Sequence, residues 1–135
     1  MSKDENKHLV LRFCHYLSER KLDDMFELMS EDSTWSGVGQ PKTFKYGGRR
    51  TKAQSIPFIG GFLRGFESFR FDVHSATAED DRVAIEATSH GVGPRGAVYE
   101  NQYILVFVCR DGFIVRISEF FDQLAVLEYE DSVAQ

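Results

Sequence analysis

At 135 residues, 42% of them hydrophobic and 27% charged, the chain has the size and balance of one soluble domain spanning 1–135. A net charge of −5 argues against nucleic acid as the main partner, since phosphate contacts need a basic footprint. Twelve Phe in so short a chain point to a large aromatic core or an aromatic-lined cavity. Residues 5–20 carry apolar side chains at 9, 10, 13, 14, 16 and 17, the spacing of an amphipathic helix. A second helix is expected over 22–32, then a short strand over 33–39 and a long connection over 40–50 with Pro and a Gly pair. Thr51 is placed to cap a third helix over 51–66, which Pro57 and the Gly60–Gly61 pair make irregular.

From residue 67 the pattern is strand. "ESFRFDVHSATAEDD", "RVAIEATSHG", "GAVYENQYILVFVCR" and "GFIVRISEFFDQL" form a four-strand meander, with Asp111–Gly112 as a hairpin turn. The acidic tail after 125 is expected to fray. Helices followed by strands indicate an α+β fold. The simplest packing is a cone, with the N-terminal helices in the concave face of a curved, mostly antiparallel sheet. Both faces of the strand ending "YILVFVCR" are apolar, so the outer sheet face needs a cover, and a homodimer supplies one.

Cys14 and Cys109 show neither a disulfide framework nor metal-like spacing, and read first as buried free thiols in a reducing compartment, with a disulfide or a nucleophile as the lesser alternatives. The start "MSKDENKHLV" has no signal-peptide apolar run, and no stretch is long enough to span a bilayer. A cytoplasmic protein is expected, with no membrane partner. His8, His15, His74 and His90 share no metal spacing with one another or with acids, so no metal site is expected.

One residue breaks the pattern of the last strand. Phe113, Val115, Ile117, Glu119 and Phe121 share a register in which only Glu119 is charged. Either it faces a cavity or it reaches water at the strand end, capped or paired with an Arg such as Arg116. In a cavity beside Tyr103, Phe107 and Phe121 its pKa would rise, which suits a general acid. Asn101 and Tyr103 stand in one register on the neighbouring strand, either to orient a ligand oxygen or to pair with each other. Trp35, Phe58 and Phe62 either line the cone mouth or fill the core. Glu86 interrupts its strand and belongs either to the cavity or to the dimer face. "GGRRTK", 47–52, is either a solvated basic loop or a holder of a substrate carboxylate at the entrance.

Three stretches carry a family resemblance: "LDDMFELMSEDSTW", "VAIEATSHG" and "YENQYILVFVCRDGFIVRISEFFD". With the order of elements, they resemble the nuclear transport factor two-like superfamily. The nearest look is to its SnoaL-like and phenazine-biosynthesis branches. The resemblance implies the cone fold and a small-molecule ligand. The steroid isomerase pattern is not matched: its base position falls at Gly37, and its oxyanion Tyr falls near Phe13, with Tyr16 one turn away. The Arg–Asp pair of the epoxide hydrolase pattern falls near Ala87 and Ser89 and is absent, although its last-strand acid matches Glu119. The SnoaL-like pattern implies Glu119 as the catalytic acid. The expected function is cofactor-free acid/base chemistry of isomerase, cyclase or condensation type on an apolar aromatic or polyketide-like substrate. The alternatives are a non-catalytic ligand-binding or accessory protein of the same fold, and a protein-interaction module without a cavity.

Overall fold

A computed structural model describes residues 2–135. The elements run α1 (Lys3–Glu19), α2 (Leu22–Glu27), β1 (Met29–Gly37), β2 (Gly48–Thr51), α3 (Lys52–Arg64), β3 (Ser68–Glu79), β4 (Arg82–Val92), a 3-10 turn (Pro94–Gly96), β5 (Val98–Arg110), β6 (Phe113–Phe121) and α4 (Gln123–Ala134). The six strands form one open sheet in the order β2-β1-β6-β5-β4-β3. All neighbours are antiparallel except β1 and β6. The fold is α+β, as expected.

Both long N-terminal helices begin with reciprocal caps. Ser2 and Glu5 start α1, and Thr51 and Gln54 start α3; each pair satisfies two backbone N–H groups that have no partner inside the helix. α1 buries Leu9, Val10, Phe13, Cys14 and Leu17 against the sheet. At the centre Phe13 meets Phe107 and Trp35 with ring centroids 5.5 and 5.6 Å apart.

Four elements differ from the sequence reading. The second helix stops at Glu27 rather than continuing to 32. Met29 instead starts β1, where it is buried opposite Ile114 of β6; tertiary pairing overrides the local helical spacing. The 40–50 connection ends in β2, which pairs Arg50 with Trp35 and Thr51 with Thr34. α3 is continuous through Pro57. The tail forms α4, capped by the Asp122 carboxylate on the N–H groups of Leu124 and Ala125.

β6 corrects the register of the puzzling strand. Its pairing with β5 shifts between Cys109↔Ile114 and Val108↔Arg116, so Val115 is an extra residue. Such a bulge turns one end of a strand over. Ile114 and Ile117 therefore both point into the core, while Phe113 lies 46% exposed. Beyond the bulge the alternation holds, and Ile117, Glu119 and Phe121 share the inner face. On the outer face Ile104 and Phe120 are cross-strand partners, 42% and 50% exposed.

Candidate functional site

The inner faces of β1, β2, β5 and β6 meet α3, α4 and the 38–47 loop around a cavity of about 610 Å³. That volume lies in the usual range for small-molecule sites. Phe44, Phe58, Phe62, Phe121 and Trp35 supply much of the wall. Its ionisable lining comprises Arg50, Glu119, Glu130 and the phenols of Tyr46, Tyr99, Tyr103 and Tyr129.

Glu119 enters from β6 opposite Gly37 of β1. A Cβ on Gly37 would already touch the Tyr46 carbonyl at 3.3 Å and the Phe121 ring at 3.6 Å, so glycine keeps this corner open. Trp35, two residues earlier on β1, donates its indole N–H to Oε1 of Glu119 at 2.9 Å. Burial disfavours the charged carboxylate and raises its pKa from 4.5 to about 7. The Trp35 bond and the positive charge of Arg50 oppose that rise without cancelling it. The Trp35 bond engages Oε1.

A polar chain crosses the same space from β4 to β5. Ser89 Oγ is 2.8 Å from the Tyr103 hydroxyl, which is 3.0 Å from that of Tyr99. Asn101 donates its amide to the Tyr99 oxygen at 2.8 Å. Ser89, Tyr103 and Tyr99 bring three hydroxyl protons to two mutual hydrogen bonds, so one proton is left over. Ser89 is buried away from the cavity, whereas both tyrosines line it. The surplus donor is thus best accommodated at a phenol facing the cavity. Desolvation is the main cause that pushes the Tyr99 phenol up to about 12 and Tyr103 well above its ordinary value. Both remain protonated donors at neutral pH.

Trp35, Phe58, Phe62, Tyr103, Glu119 and Phe121, all singled out from sequence, meet around this cavity. Four others do not line it. Asn101 is buried behind the wall, where its Oδ1 accepts from the Asp122 N–H at 3.0 Å and its amide donates to the Asp122 carbonyl at 3.0 Å. It fixes the end of β6 and supports Tyr99 rather than touching the cavity. Phe107 is sealed in the core beneath Phe13. Tyr16 packs half-buried at the edge of the core. Glu86 points outward, because Val83, Ile85, Ala87 and Ser89 take the inner phase of β4.

From sequence, "GGRRTK" reads either as a solvated loop or as a carboxylate holder without Arg50 being singled out, and Tyr99 and the α4 wall are missed. Tyr99 shares its phase with Asn101 and Tyr103, so the signal was there. α4 contributes Val126, Tyr129 and Val133, whose spacing is helical. No group of three or more His, Cys, Asp or Glu side chains among the described residues is arranged to hold a metal ion. No helix among them is long and apolar enough to cross a membrane.

An open, curved sheet with helices in its concave face and a cavity at one end defines the nuclear transport factor two-like class. PrhC from Penicillium brasilianum superposes with a TM-score of 0.85 at 15% identity, over 98% of this chain and 89% of that one. The BvnE pinacolase from Penicillium brevicompactum does so at 0.81 and 16%, over 98% of each chain. These likenesses speak to fold alone. Residues 10–117 match the SnoaL-like domain model, and the chain belongs to that family. In sequence it is 25% identical over 143 residues to UPF0523 protein C of Dictyostelium discoideum, covering 96% of this chain and 91% of that protein. The family match ends two residues before Glu119, so the case for that carboxyl rests on its surroundings.

Proposed function

We propose that the protein is a cofactor-free acid/base enzyme acting on an apolar, enolisable aromatic or polyketide-like substrate, by isomerisation, cyclisation or condensation. One observation carries this reading: a buried carboxyl, held by the Trp35 indole and with its pKa raised by desolvation, shares an aromatic cavity with a hydrogen-bonded pair of phenols. In its ionised form Glu119 takes a proton from a carbon next to a substrate carbonyl. The electrons move onto the carbonyl oxygen, where the surplus phenol proton of the Tyr99–Tyr103 pair stabilises the enolate by hydrogen bonding. Glu119, now protonated, returns the proton to the same or a neighbouring carbon. A base with a pKa near the working pH is well matched to both halves of this cycle. The fold is shared with small-molecule enzymes such as the pinacolase, which is compatible with the reading.

The test is deuterium uptake from D₂O into a panel of enolisable aryl ketones, followed by proton NMR. The wild-type protein should exchange the α-hydrogens of at least one compound, with a rate that rises with pH and levels off above about 7, where Glu119 is ionised. Glu119→Gln should slow exchange by at least about 100-fold, the usual scale of a lost general base. Equal exchange in wild type and variant would sink the catalytic role and favour a non-catalytic ligand-binding protein.

The paired, exposed Ile104 and Phe120 support a second copy of the chain as the cover of the outer sheet face. Two buried free cysteines fit the cytoplasmic location expected from sequence.

A further inference from the structure

We propose that Arg50 makes the cavity selective for anionic aromatic ligands, receiving a carboxylate or a similar oxyanion while the aromatic walls hold the rings. This deepens the function proposed above and rests on it only in taking the cavity to be a ligand site. Alternation along β2 decides which basic residue turns inward. Arg49 is exposed, and Lys52 bonds the Met29 carbonyl at 2.9 Å and Glu31 at 3.3 Å. Arg50, opposite Trp35 on β1, lines the cavity.

Two contacts hold its guanidinium in place. Its Cζ lies over the Phe58 ring, 3.7 Å from the centroid, and one terminal nitrogen donates to the Tyr46 carbonyl at 2.7 Å. A guanidinium has five N–H donors, so this anchoring leaves several for a ligand. It is also the side chain whose planar fork fits a carboxylate with two parallel bonds. No carboxylate among the described residues forms an ion pair with it. Of the two acids in the wall, Glu130 is already engaged by Lys45 and by the Tyr46 hydroxyl. Glu119, whose pKa burial raises to about 7, is neutral for about half the time at pH 7 and makes no ion pair with Arg50. The cavity therefore presents a fixed, preoriented positive charge with no carboxylate in ion-pair contact. Partial burial also pushes the Arg50 pKa down, and attraction to the Glu119 carboxylate only partly offsets this.

Isothermal titration calorimetry with 2-naphthoate and 2-naphthamide, near-isosteres that differ by one charge, tests this directly. Wild type should bind the naphthoate at least tenfold more tightly. In Arg50→Gln the two affinities should converge to within about twofold, chiefly through loss of naphthoate binding, and Arg50→Lys should keep part of the preference. Thermal unfolding would verify that the variants are folded, and the wild-type comparison stands without them. Binding of both probes with equal affinity to wild type, or a preference that survives Arg50→Gln, would overturn the selectivity while leaving the cavity as a ligand site. Binding of neither would overturn both.

Discussion

Glu119 is costly to the fold, and the cost depends on pH. Its folded pKa lies near 7 and its unfolded value near 4.5, so between these limits the folded chain holds more proton than the unfolded one. Stability therefore falls as pH rises through that window, and the full penalty applies above it. A shift of that size corresponds to on the order of 3 kcal/mol. Glu119→Gln keeps an oxygen for Trp35 to donate to and removes the charge. The variant should melt roughly 5–10 °C higher than wild type at pH 8, with little difference at pH 4; calorimetric scans across pH would measure both. An equal melting temperature at pH 8 would mean the carboxylate is well solvated there. Much of this was legible in the sequence, because an acid in an otherwise apolar strand register must be either wet or shifted. Arg50 was legible only as part of "GGRRTK", either a solvated loop or a carboxylate holder; nothing there reveals that a four-residue strand pairs Arg50 with Trp35 and turns it inward. Asn101 was half legible. Its burial followed from alternation, but its engagement by the backbone of Asp122 depends on how β5 and β6 end together.

The strands and the helix around the cavity each hinge on one local device. Val115 is the extra residue that lets β6 serve the core with Ile114 and Ile117 and the cavity with Glu119 and Phe121. A period-2 pattern cannot show a bulge, which is why Phe113 and Val115 seemed to belong to the inner face. α4 escaped notice because its acidic, weakly patterned sequence resembles a tail. It is fixed by the Asp122 cap, by Gln123 donating to the Val38 carbonyl at 3.0 Å, and by Tyr129 packing flat on Phe66 over Gly93. A Cβ on Gly93 would collide with the Tyr129 hydroxyl at 2.0 Å, so this seat requires glycine or a displaced ring. Asp122→Ala removes a cap worth about 1 kcal/mol. Amide exchange over 123–134 should quicken by roughly fivefold, with the central strands unaffected, as hydrogen-exchange mass spectrometry would record. Unchanged exchange would show that side-chain packing alone holds α4.

At the scale of the whole molecule, the sheet divides the chemistry. Its concave side carries the core at one end and the cavity at the other, and its convex side carries an apolar strip. The order of helices and strands made the cone legible from sequence. The parallel pairing of β1 with β6 was not, because it joins segments far apart in the chain. If a second copy covers the convex side, light scattering after size exclusion should give twice the 15.4 kDa chain mass. Ile104→Lys with Phe120→Lys should then return it to one chain mass without lowering the fold's helical or strand content. A wild-type protein that runs as a monomer at micromolar concentration would rule out that cover.

Above all else, the site depends on a Glu119 carboxyl that still binds a proton close to neutrality. Carbon NMR of labelled glutamates, titrated by pH and assigned with Glu119→Gln, measures it most directly. One carboxyl should titrate near 7, and its signal should vanish in the variant. A Glu119 signal that titrates near 4.5 would contradict the account, because the side chain would then be wetted or paired and unfit for the proton transfers assigned to it.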